Sequence, residues 1–221
     1  MTQRVPTLPA RAIVGIVRRI LLATTNPAKQ AKLRWLLEGL DVEAVTPPSP
    51  LTVLEEGRTH LENAEAKARA WSRHFGMAAI ASDGGLVIPA LGERWDALLT
   101  ARFAGPAAGD RERLDRLLEM MQPHEGADRS ACWREALALA ENGQVLASWS
   151  AQSQPGLLAE SYEPSKLVPG FWAFTIWVLP HLGKTYGQLS PDEVERLEDH
   201  WGVLRQRVRG WFTEGPRPRR P

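Results

Sequence analysis

The sequence is poor in cysteine and lysine and has no long apolar run, and each shortage removes a class of explanation. Cys132 is the only cysteine in 221 residues, so no internal disulfide can form and a secreted, disulfide-stapled scaffold is excluded. No Cys/His set has the spacing of a structural zinc site. No run of about 18 apolar residues is present, so nothing in the sequence reads as a membrane span. A cytoplasmic enzyme is the simplest setting. What remains is an ordinary globular composition, 43% hydrophobic and 24% charged, with enough apolar side chains to fill a sizeable core.

The net charge of +1 hides a segregation of charge. Arg4, Arg11, Arg18, Arg19, Lys29, Lys32 and Arg34 fall before residue 38 with no acid among them, and Arg217, Arg219 and Arg220 close the chain. Residues 38–214 between these ends hold all 26 acids and are strongly acidic overall. A body of that sign does not suit the phosphate backbone of a polymer, so nucleic acid is not an expected partner. The apolar patch Ala12–Val17 is interrupted by Gly15 and is too short for a secretory signal, so residues 1–18 read as a basic extension and 213–221 as a Pro/Arg tail. A single domain is expected over 19–212.

Turn signals divide that domain into strands and helices. Arg19–Thr25 reads as a buried strand that ends in Thr-Thr-Asn-Pro, and Ala28–Leu40 as the helix that follows. Thr59–Phe75 has a helical apolar stripe behind a Thr-x-x-Glu capping pattern. Met77–Ala81 reads as a strand running into Ser-Asp-Gly-Gly, where the glycines are expected to permit positive φ in a tight turn. Arg111–Met121 reads as a helix, and Ala131–Ala140 with Gln144–Ser150 as a hairpin around Glu-Asn-Gly. Phe171–Leu179 reads as an apolar strand, and Ser190 caps a last helix from Pro191 to about Phe212. Strands interleaved with helices predict an α/β fold with mixed pairing.

Candidate chemistry sits at strand ends. At Thr24-Thr25-Asn26-Pro27-Ala28-Lys29 a strand hands over to a helix whose N-terminal amides suit a phosphate, with Asn26 and Lys29 adding a donor and a charge. A capped helix with a solvated lysine is the plainer alternative. Glu55, Glu56, Glu62 and Asp83 form an acidic set of the hard oxygen donors that magnesium takes. The capping pattern explains Glu62 and ordinary exposure explains Glu56, whereas Asp83 follows an apolar strand, where α/β folds place ligands. Arginine outnumbers lysine 22 to 5, yet Lys29, Lys67 and Lys184 fall in the segments singled out here. A compact ammonium meets a phosphate oxygen differently from a guanidinium fork; chance placement is the alternative.

Taken together, TTNPAK at Thr24–Lys29, the Glu55–Ala68 segment, IASDGGL at Ile80–Leu86, ARFAG at Ala101–Gly105 and GKTYGQL at Gly183–Leu189 resemble, in order and spacing, the non-canonical purine nucleoside triphosphate pyrophosphatases, the inosine-triphosphatase-like family. Arg129 and His200 also resemble family positions. The resemblance implies a two-lobed α/β fold with a long mixed β-sheet flanked by helices, a nucleotide cleft between the lobes, and a homodimer. It implies hydrolysis between the α and β phosphates, with Mg2+ held by Glu55 and Asp83, and with Asp83 and Lys29 as the catalytic pair. The substrate-binding set that it implies is Thr24, Asn26, Lys29, Lys67, Gly84, Phe171, Lys184 and His200, with Asn26, Lys29 and Lys67 on the triphosphate.

The departures gather where that family reads the base. Its Gly-Phe-Gly-Tyr-Asp-Pro segment is here Gly170-Phe171-Trp172-Ala173-Phe174-Thr175, so Phe171 remains for stacking while Phe174 replaces an aspartate. Its Ser-His-Arg-Gly segment is matched by Asp199-His200-Trp201-Gly202, so an indole stands in place of an arginine. Losing hydrogen-bonding groups changes base choice more than chemistry. An altered base specificity is therefore expected. The alternatives are a catalytically inactive nucleotide- or partner-binding protein on the same fold, and a pyrimidine-directed pyrophosphatase of the septum-inhibition type.

Overall fold

In the computed structural model, which describes residues 19–197 and 199–214, the elements in chain order are β1 (Arg19–Leu22), α1 (Pro27–Leu37), β2 (Glu43–Val45), α2 (His60–Phe75), β3 (Ala78–Val87), α3 (Asp110–Met121), β4 (Ser130–Glu141), β5 (Gln144–Gln152), β6 (Gly156–Leu158), β7 (Trp177–Leu179), β8 (Lys184–Thr185), α4 (Pro191–Arg196) and α5 (His200–Glu214). The extension 1–18 and the tail beyond Glu214 lie outside the described residues. The strands form one eight-stranded mixed sheet in the order β2-β1-β3-β4-β6-β7-β8, with β5 also paired to β4. β1 runs parallel to β2 and β3, and the remaining pairings are antiparallel.

The frame follows from alternation along β3 and β4, which pair from Ala79 opposite Ala140 to Val87 opposite Cys132. Successive side chains leave opposite faces of a strand. One face carries Ala79, Ala81, Ala136, Ala138 and Ala140, small enough for α2 to lay Ala64, Ala68 and Trp71 against it. The other carries Ile80, Leu86, Trp133, Leu137 and Leu139 into the larger core. The alanine row on β3 ends at Asp83, which therefore points at α2.

The cleft arises because β1 is short. Its pairing with β3 ends at Leu22 opposite Ile80, with one more bond from Ala23 N to Ile80 O, while β3 runs on to Val87 held only by β4. The freed edge of β3 finds other partners: Thr100 Oγ1 accepts from Leu86 N at 3.1 Å, and Trp95 Nε1 donates to Leu86 O at 2.6 Å.

Three expectations from the sequence are corrected. Ser82-Asp83-Gly84-Gly85 is not a turn but the middle of β3, and neither glycine has positive φ. Close approach explains these glycines: a Cβ on Gly84 would stand 2.6 Å from Glu135 Cδ, and one on Gly85 2.7 Å from Thr100 Oγ1. Phe171–Leu179 is not one strand; Trp172–Thr175 forms a 3-10 turn and only Trp177–Leu179 is extended. All four turn residues are buried, and a segment that is apolar on every side has no periodicity to separate strand from buried turn. The last helix is two: α4 carries the expected Ser190/Glu193 capping box, and Asp199 starts α5 anew by accepting from Gly202 N at 2.7 Å. The hairpin is as expected, with Asn142 and Gly143 both at positive φ between β4 and β5.

Candidate active site

A cleft of about 480 Å3 opens at the freed edge of β3. Thr24, Asn26, Lys29, Glu55, Lys67, Ser82, Gly84, Arg102 and Phe171 line it, so the structure brings most of the expected set together. At its centre Lys67 Nζ lies 2.5 Å from Glu55 Oε1 and 2.7 Å from Asp83 Oδ1. The two acids expected to share a metal thus converge on one point, which an ammonium holds. Their other oxygens are also engaged: Arg102 reaches Glu55 Oε2 at 2.8 Å, and His60 Nδ1 reaches Asp83 Oδ2 at 2.7 Å. His60 and Lys67 are seven residues apart, two turns along one helix face, and so both reach the same carboxylate.

Electrostatics in this network decide protonation. Burial alone would raise the Asp83 carboxyl, but the His60 bond and the charges of Lys67 and Lys29 outweigh it and hold it at about 2. Burial would lower the Lys67 ammonium, and Asp83 and Glu55 instead carry it above its ordinary value. Both groups are charged at neutral pH, and each pays its desolvation through the other.

The strand-to-helix turn is built as the sequence suggests, with one change of role. Asn26 caps α1: its Oδ1 accepts from Ala28 N at 2.9 Å and Lys29 N at 3.3 Å, and its Nδ2 donates to Gly170 O at 3.2 Å. The Asn26 side chain is therefore committed to shaping the turn. Thr24 Oγ1 accepts from Asn26 N at 3.1 Å. Lys29 borders the cleft, and its charge acts on both Asp83 and Glu135.

Lys184 and His200 are not brought to the cleft. Lys184 Nζ pairs with Glu193 Oε1 at 2.6 Å on the far side of β7. His200 is fully buried, ringed by Trp133, Phe174, Trp177, Tyr186 and Trp201. Burial pushes its imidazole down to about 3, with Lys32 adding to the effect. Phe171 lines the cleft and stacks one face on Phe174 at 5.0 Å and 8°. Arg129 is a structural clamp, donating to the carbonyls of Leu158, Met121, His124 and Ala159.

Sequence reasoning missed His60, Arg102 as a partner of Glu55, and Glu135. His60 carried a legible signal, since helical spacing places it on the Lys67 face. Glu135 carried a fainter one, a lone acid in an apolar strand. It is 1% exposed; burial raises its carboxyl, opposed first by Lys29.

The model of the Ham1 family matches residues 20–205. Among curated proteins, a dITP/XTP pyrophosphatase of Yersinia pseudotuberculosis is 36% identical over 192 residues, 86% of this chain and 95% of that protein. One from Methylococcus capsulatus is 32% identical over 208 residues, 87% of this chain and 96% of its own length. Among solved structures, a HAM1 protein from Coxiella burnetii aligns with a TM-score of 0.72 at 29% identity, covering 89% of this chain and 99% of that one.

Proposed function

The chain belongs to the Ham1 family, and we propose on that premise that it is a nucleoside triphosphate pyrophosphatase, a hydrolase that cuts between the α and β phosphates. The observation that carries this reading is the meeting of Lys29, Lys67, Arg102 and Glu55 at one cleft, with Asp83 paired to Lys67 beside it, a set that matches a polyphosphate and a water nucleophile. Water attacks the α phosphorus as the bond to the bridging oxygen breaks, releasing the monophosphate and pyrophosphate. Asp83, held ionised, orients that water and takes up its proton. Lys29 offsets charge on the phosphates.

Magnesium is the proposed cofactor. The described residues hold no cluster of three or more His, Cys, Asp or Glu side chains suited to a metal ion. That argues against a closed protein cage and suits magnesium, which takes one or two carboxylates and fills its shell with water and phosphate oxygens. Glu55 and Asp83 would hold it, with Lys67 giving way at their point of convergence. When bound, the ion supplies charge neutralisation at the pyrophosphate leaving group.

Base recognition is proposed to differ from that of the named relatives. Phe174 and Trp201 are 2% and 0% exposed, so the segments that would read a purine are closed by aromatic packing. The expected substrate is a nucleoside triphosphate other than that of inosine or xanthosine, taken by a homodimer. The test is magnesium-dependent pyrophosphate release across standard, deaminated and oxidised nucleoside triphosphates. Release from none of them, with the fold intact, would sink the reading. Tight calorimetric binding without turnover would favour the inactive binder that the closed aromatic block also suits.

A further inference from the structure

The cations of the cleft are not equally engaged. Lys67 is held by two carboxylates and Arg102 by Glu55, whereas Arg113, on the first turn of α3, makes one bond, from Nη1 to Asp110 Oδ1 at 2.9 Å. Such a pair on an open helix surface is ordinary and worth little. This one borders the cleft with only 18% of the Arg113 side chain exposed, and among the described residues Asp110 is the only hydrogen-bond partner of the guanidinium. A guanidinium carries several N–H donors, so most of them are left for a ligand.

Asp110 also ties Arg113 to the strand-to-helix turn. Its Oδ2 accepts from Gly170 N at 2.7 Å, and Gly170 O accepts from Asn26 Nδ2 at 3.2 Å. Gly170 has φ +77°, and a Cβ there would stand 2.7 Å from Asn26 Oδ1, so glycine is what lets the two segments approach. A chain of hydrogen bonds thus runs from the Arg113 guanidinium to the turn that carries Lys29, and Asn26, Gly170, Asp110 and Arg113 all line the same cleft. That turn needs side-chain charge to hold a phosphate, because its amides are already taken: Asn26 Oδ1 accepts from Ala28 N and Lys29 N, and Thr24 Oγ1 accepts from Asn26 N. Lys29 from α1 and Arg113 from α3 are the cations placed to supply it.

We propose that Arg113 is a further substrate-binding residue of this cleft, which together with Lys29 holds the pyrophosphate portion of the substrate beside the Asn26 turn. Asp110 fixes its position and leaves the remaining donors free, and a guanidinium fork suits phosphate oxygens. The proposal rests on the reading of the cleft as a nucleoside triphosphate site.

The test is isothermal titration calorimetry with inorganic pyrophosphate in magnesium buffer for the unaltered chain, Arg113→Ala, Arg113→Lys and Asp110→Asn, with circular dichroism as the check on folding. Arg113→Ala is expected to weaken pyrophosphate binding about tenfold or more, and Arg113→Lys, which keeps the charge but not the fork, about threefold. Asp110→Asn can still accept from Gly170 N but no longer neutralises Arg113, so it should bind pyrophosphate severalfold more tightly, the opposite sign from a loss of structure. With an accepted nucleotide, Arg113→Ala should raise KM about tenfold and leave kcat within about threefold. Pyrophosphate binding by Arg113→Ala within about twofold of the unaltered chain overturns the proposal, and a raised KM beside it would place Arg113 on the nucleoside. Should Arg113→Ala not fold, Arg113→Lys and Asp110→Asn decide, and unchanged affinity in both overturns it. Pyrophosphate binding that depends on Arg113, without pyrophosphate release from any nucleoside triphosphate, would strike the function and leave this site standing.

Discussion

Two buried regions meet beside β4, and they treat polar groups in opposite ways. Around Asp83, every carboxylate oxygen of Glu55 and Asp83 has a charged or imidazole partner, and the network opens onto solvent. Around His200, both ring nitrogens and the Trp201 Nε1 are buried without hydrogen bonds among tilted aromatic rings. The first region keeps charge by pairing it, so it can exchange those partners for a ligand. The second keeps an imidazole by keeping it neutral, so it contributes packing and little else. The contrast places chemistry on the cleft side and leaves the aromatic side to set shape and stability.

The largest expected effect breaks the first region. Asp83→Asn removes the charge that Lys67 and His60 hold, and pyrophosphate release should fall by about three orders of magnitude with the circular dichroism spectrum unchanged. Retained turnover would contradict the role given to Asp83. Next comes the second region: Phe174→Ala leaves a cavity among Phe171, Trp133, Trp177 and Tyr186 and should cost about 3–5 kcal/mol in urea denaturation. A cost under about 1 kcal/mol would show that the block is not close-packed.

A smaller effect sharpens the division. His60→Asn keeps a polar side chain but loosens Asp83 Oδ2, and kcat should drop about tenfold while KM stays within about twofold. A change in KM alone would place His60 on substrate instead. The smallest effect is one of pH. The folded value of His200, about 3, lies below its ordinary 6.5, so the unfolded chain takes up a proton that the folded chain refuses. Stability from this group is full above about pH 6.5 and falls as pH drops toward 3, by at most about 1.4 kcal/mol per pH unit. The raised carboxyls of Asp199 and Glu135 act in the opposite sense as pH falls, whereas the depressed Asp83 carboxyl adds to the loss below about pH 4. His200→Phe should flatten the acid limb of a stability–pH curve; an unchanged limb would show that another group controls it.

Much of the frame was legible because local rules govern it. The Thr59 cap, the Asn142-Gly143 turn and the α2 stripe are short-range features, and each formed where its residues stand. The errors came where context overrides local pattern. Gly84 and Gly85 read as turn residues because positive φ is a common need for glycine, yet their reason is room for Glu135 on the neighbouring strand and for the Ala97–Thr100 turn packed on β3. His200 and Lys184 matched a pattern in sequence but were carried elsewhere, His200 into the core and Lys184 to Glu193.

Residue type and order alone determined the absence of an internal disulfide, the α/β alternation, the capped helices and the presence of Lys29, Glu55, Lys67 and Asp83 in one chain. These depend on spacing within a few residues or on composition. Only the tertiary structure decided which charges meet. Burial and register place Lys67 between two acids, put His60 against Asp83 and set Glu135 behind Gly84. The reason is physical: a carboxylate becomes ligand, ion-pair member or neutral acid according to the partners and solvent around it, and long-range packing sets both.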